Sequence, residues 1–165
     1  MNAHLQTAAR KNHRGFTLLE LIMAMAIGTV LTAMAIPVCI SAQNNMRLNS
    51  AVSAMSSAIT QTRYKSIMTS QTYSLAINSA GNTYTITNVT TGVAGTAIPF
   101  TPSAVAVNGG AGTSTFLFCP NGTVWAAGAT CPGTGAPPAI TAVFEGRQIN
   151  LNVSSVGNVT TTQVH

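Results

Sequence analysis

Acidic residues are nearly absent. The 165-residue chain has two, Glu20 and Glu145, and no aspartate. Paired-carboxylate acid–base chemistry is therefore not available. Hard cations, which want several oxygen ligands, find no cage. Histidine is also sparse: His4, His13 and His165 sit at the two ends of the chain. No catalytic constellation, metal site or cofactor is expected. Charged residues of both signs make up 5% of the chain, against roughly 25% in an average soluble protein. Arg10, Lys11 and Arg14 all precede Phe16, so only Arg47, Arg63, Lys65 and Arg147 carry positive charge beyond it. So thin a basic set makes a poor phosphate-binding surface, and nucleic acid is not an expected partner. Solubility must rest on hydroxyl and amide groups.

What the chain does have is one long apolar run. Residues 1–15 are polar and basic, without an acid, and end at Gly15. Residues 16–40 then hold a single charge, Glu20. As a helix this segment spans about 37 Å, enough to cross a ~30 Å hydrocarbon core. The basic flank predicts that its N-terminal end stays cytoplasmic and the rest of the chain lies outside. A secretory signal would place the apolar core inside the removed piece, whereas here it follows the candidate cut. An ionised carboxylate in hydrocarbon costs several kcal/mol unless paired. A free α-amino group on Phe16 of a neighbouring copy is a natural partner for Glu20. Gly28 and Pro37 weaken the helix, by about 1 and about 3 kcal/mol respectively. The stretch between them could unwind when copies pack.

The segment Gly15–Phe16–Thr17–Leu18–Leu19–Glu20, behind its basic leader, resembles the class III signal of type IV pilins and type II secretion pseudopilins. The resemblance implies that prepilin peptidase cuts between Gly15 and Phe16 and N-methylates Phe16. It makes Glu20 the acid that aligns subunits in a helical filament. Pro37 falls where many members also carry proline. Implied partners are other pilin or pseudopilin subunits, the peptidase and an inner-membrane assembly platform.

The expected fold is α+β: a long N-terminal helix, membrane-spanning over 16–40 and amphipathic over 41–70, packed on a small antiparallel β-sheet head formed by 71–165. Leu48, Val52, Met55, Ile59 and Ile67 recur at helical spacing and mark the face toward the sheet. Strands are expected over Thr72–Ile77 and Thr83–Val89 as a hairpin, then over Ala97–Phe100 and Ala104–Val107. Ser114–Cys119 and Thr123–Ala126 should pair across Pro120–Asn121–Gly122. Ala139–Phe144, Gln148–Val153 and Asn158–Thr162 complete the set. Trp125 and Tyr84 read as half-buried sheet residues and Arg147 as a solvated turn charge. In an oxidising periplasm Cys119 and Cys131 would close the intervening Gly-rich loop as a disulfide. The rival, a metal site, lacks ligands. Cys39 reads as a free thiol at the membrane end.

The order of elements is similar to the GspH/FimT branch of minor pilins and pseudopilins, which implies a structural subunit and no enzyme. Some FimT-like minor pilins bind DNA through an arginine-bearing C-terminal segment. Here Ser155–Thr160 has no arginine. An anchored adhesin or enzyme unrelated to pilins is the remaining alternative.

Overall fold

A computed structural model describes residues 16–100, 106–108, 112–126 and 130–164. The leader with Gly15, the first half of the expected strand Ala104–Val107 and parts of both Gly-rich loops lie outside them. Among the described residues the elements are one helix, α1 (Leu18–Thr69), and ten strands. By internal packing the chain divides into two units between Ile40 and Ser41.

In the first unit every side chain from Phe16 to Ile40 is exposed. The helix here is long and apolar enough to cross a membrane. Its start is specified locally. The Thr17 hydroxyl accepts a hydrogen bond from the Glu20 backbone N–H at 3.2 Å, the geometry of an N-cap. Thr17 and Glu20 have the spacing of a capping box.

In the second unit α1 buries one stripe: Leu48, Ala51, Val52, Met55, Ala58, Ile59, Thr62 and Ser66. The expected Ile67 is not part of it, being 38% exposed. The stripe ends instead in small hydroxyl residues. Ser66 Oγ lies 2.8 Å from the Gln71 carbonyl and 3.1 Å from that of Phe118. At the close of the helix a backbone carbonyl needs a donor more than a methyl group, and serine supplies it.

The head holds two antiparallel sheets, a division that alternation alone does not specify. The larger has the order β3-β2-β1-β6-β7, with β4 also pairing β2. Its strands are β1 (Tyr73–Asn78), β2 (Thr83–Asn88), β3 (Val93–Ala94), β4 (Ile98–Pro99), β6 (Thr113–Phe118) and β7 (Val124–Trp125). The smaller has the order β10-β9-β8-β5, from β5 (Ala106–Val107), β8 (Ile140–Phe144), β9 (Arg147–Val153) and β10 (Val159–Val164). Alternation fixes the inward faces. Tyr73, Leu75 and Ile77 of β1 are buried, as are Ile149, Leu151 and Val153 of β9. Leu75, Ile77 and the three β9 residues form one core with Phe116, Phe118, Ile140, Ala142 and the apolar part of the helix stripe.

Turn chemistry sets the registers. The β8–β9 hairpin closes through Glu145 (φ 49°) and Gly146 (φ 74°), so Phe144 pairs with Arg147. Two consecutive positive φ values match the right-handed strand twist, and glycine adopts one without strain. Tyr84 is half-buried and stacks on Phe100, ring centroids 6.1 Å apart. Trp125 is half-buried too. Its indole N–H donates to the Thr123 hydroxyl at 3.1 Å.

Candidate functional site: the N-terminal segment and the arginine anchors of the head

Glu20 lies in the first turn of α1, exposed. Near a helix N-terminus its charge is favoured by the backbone dipole. Its carboxylate makes no ion pair with any described residue. Phe16, just ahead of the helix, is 83% exposed. Gly28 and Pro37 were expected as weak points, but no break occurs at either one: α1 is continuous through both. The Thr29 hydroxyl donates to the Ala26 carbonyl at 2.8 Å and that of Thr32 to the Gly28 carbonyl at 2.7 Å. These hydroxyls bond to helix carbonyls in addition to the backbone ladder, and Pro37 removes one backbone bond locally without ending the helix. Unwinding on packing between copies is a separate event that one chain does not test. Cys39 is exposed and free.

In the head, two of the four basic residues beyond Phe16 are structural fasteners. Arg147 does not behave as a solvated turn charge. It opens β9 and reaches back onto α1, where its guanidinium donates to the Ser41 hydroxyl at 2.7 Å. It also donates to the Ser41 carbonyl and the Asn45 side-chain oxygen. The two-residue turn before it aims the side chain at the helix and away from solvent. Arg63, in the last part of α1, donates through Nε to the Gly122 carbonyl at 3.1 Å. It also passes Gly157 so closely that a Cβ there would lie 2.5 Å from Arg63 Cδ and Nε. Gly157 has φ +79°, so this turn needs glycine for both space and backbone conformation. A further bond, Val124 N–H to the Ser155 carbonyl at 2.8 Å, joins β7 to the same turn. Sequence reasoning missed both arginines. The available signal was the pair of glycines in tight turns, Gly122 and Gly157, but nothing in it names the partner.

Cys119 and Cys131 are joined as a disulfide, with Cα atoms 5.7 Å apart. Cys119 also flanks the β6–β7 turn, where its N–H donates to the Thr123 carbonyl at 2.9 Å. The bridge therefore ties the outgoing loop to the turn that Arg63 holds. The Lys65 ammonium sits 5.1 Å from the centroid of the Tyr73 ring, a cation–π contact. Arg47 is exposed. Among the described residues no cluster of three or more His, Cys, Asp or Glu could hold a metal.

The chemistry available is thus that of a membrane-anchoring helix with one acid near its start and a hydroxyl-rich head. No curated protein and no solved structure matches the chain. Residues 10–36 match the family model of the prokaryotic N-terminal methylation motif, the segment typical of type IV pilins and pseudopilins.

Proposed function

We propose that this protein is a minor pilin or pseudopilin, a structural subunit of a type II secretion pseudopilus or a type IV pilus. The observation that carries this reading is the methylation motif over residues 10–36, placed at the start of an apolar helix with a single acid. In this reading residues 1–15 are the leader, 16–40 the membrane and assembly helix, 41–70 its amphipathic continuation and 71–165 a periplasmic head. Prepilin peptidase removes the leader after Gly15 and methylates Phe16. The subunit waits in the bacterial inner membrane, N-terminus cytoplasmic, until an assembly platform extracts it. Glu20 then pairs with the amino group of an adjacent Phe16. Two charges buried together make a mismatched register costly, so the pair specifies alignment more than it adds net stability. Gly28 and Pro37 let the helix between them extend at that stage. The head's Cys119–Cys131 bridge suits an oxidising compartment. The two-sheet head after one long helix is compatible with the GspH/FimT branch. DNA uptake gains no support, since β10 has no arginine.

Mass spectrometry of the membrane-extracted protein should find an N-terminus at a methylated Phe16. A retained leader would sink the reading. Glu20→Val should leave the chain processed and inserted yet absent from sheared filaments.

A further inference from the structure

The sheet edges of the head are unequal. Among the described residues, β3 with β4, β7 and β5 form three of them, and each of these strands is two residues long. The fourth is β10, six residues of sequence VTTTQV. From Thr160 to Val164 every residue is exposed. Short edges offer little to pair with, and long ones are usually blocked by charge, proline or a bulge. β10 has no charge and no proline, and its register with β9 is regular from Val159↔Val153 to Val164↔Gln148. On such an edge every second residue turns its N–H and C=O away from the sheet.

A cavity of about 480 Å³ lies at the C-terminal end of this edge. Gln163 and Val164 of β10 line it, with Arg147 and Gln148 of β9 and Asn45 and Asn49 of α1. Arg147 is the one charged residue among those lining it. Its hydrogen-bond partners, Ser41 and Asn45, are neutral, so among the described residues nothing cancels its charge. The surrounding amides both donate and accept. A half-buried guanidinium in such a setting selects a carboxylate.

We propose that the β10 edge and the Arg147 cavity form one docking site for an extended, uncharged segment of another polypeptide, bearing a carboxylate at the cavity end. The segment would add to the sheet as a strand, its main chain supplying affinity and its acid supplying register. Among the described residues a second copy offers no match: Glu145, the one acidic side chain of its head, sits in a two-residue turn, its β10 edge carries no acid, and its other edges are two residues long. The inference stands on the head and does not depend on filament entry.

The test uses the full chain in detergent micelles and synthetic hexapeptides of alternating threonine and valine. One set carries a glutamate at either end, and a matched set carries glutamine there. Hydrogen exchange should slow at the β10 amides when a glutamate peptide is added. The glutamine counterpart should bind about tenfold or more weakly, the loss expected for one charge-assisted contact. Fully N-methylated glutamate peptide should give no protection, and Arg147→Gln should bind the glutamate and glutamine peptides alike. Because Arg147 also fastens β9 to α1, the peptide swap decides the discrimination on unaltered protein. Equal affinity of the two peptides for that protein would overturn the proposal. So would absence of protection at β10, or protection there by a short DNA duplex and by neither peptide.

Discussion

Between Leu18 and Ile40, α1 exposes every side chain, and between Ser41 and Thr69 it hides a single stripe. The same helix therefore answers to two solvents. In the first part, apolar residues occupy all sides, and hydrogen bonds within the helix satisfy the backbone. In the second, one apolar and small-residue stripe is buried, and the other faces are mostly serine, threonine, asparagine and glutamine, with Met46, Tyr64, Ile67 and Met68 exposed among them. The difference shows where folding energy resides. An apolar side chain in the first part contributes nothing to the cohesion of the head, whereas one in the stripe is part of its core.

The widest gap between the two regions should appear on truncation. Ile59, fully buried, should cost the head about 2–5 kcal/mol when changed to alanine. Ile27→Ala, in the exposed part, should leave the head's urea midpoint unchanged. Urea titration of the full chain in detergent, followed by Trp125 fluorescence, measures both. Equal effects would erase the distinction drawn here.

Reduction of Cys119–Cys131 should come next. The bridge closes a loop with a sequence separation of 12, and the loop-entropy model assigns about 3 kcal/mol to such a ring. Titration with and without reductant, after Cys39 is alkylated, isolates the effect. Gly157→Ala should cost about 2 kcal/mol by forcing a Cβ against Arg63 at a positive φ. The companion change Arg63→Ala in the Gly157→Ala background should recover part of it, because the clash disappears. Smallest is Arg147→Gln, which should lower stability by about 1 kcal/mol through lost hydrogen bonds and raise amide exchange near Ser41 and Asn45. If exchange there is unchanged, the contact with α1 does not hold the helix.

These expectations also show what the sequence could and could not disclose. The helix, its exposed apolar part and nearly every strand could be read from periodicity and turn residues, because those signals are local. Thr83–Val89 and Gln148–Val153 fall within a residue of the observed β2 and β9. β3 was missed because two residues, Val93 and Ala94, are too short to alternate. The partition into two sheets was hidden because it depends on which strands meet across loops, as when β1 takes β6 as its neighbour. Ile67 was expected in the core because it continues the helical spacing of Leu48, Val52, Met55 and Ile59. Ser66 takes a buried place because its hydroxyl donates to the Gln71 and Phe118 carbonyls, and the Thr62 hydroxyl is satisfied by the Ala58 carbonyl one turn back. The N-terminal segment was the most legible part of the candidate site, since Gly15–Glu20 is contiguous. Arg63 and Arg147 were the least legible: their partners lie 59 and more than 100 residues away.

Arg63 and Arg147 have one more consequence. Both fasten the head through neutral oxygens, and no ion pair joins any described residues. Their guanidinium groups serve as multi-pronged hydrogen-bond donors, and their grip does not draw on attraction between opposite charges. Counter-ions screen exposed charges over a Debye length of about 8–10 Å, but among the described residues they have no ion pair to weaken. The grip of Arg63 and Arg147 on the head should therefore change little between dilute buffer and concentrated brine.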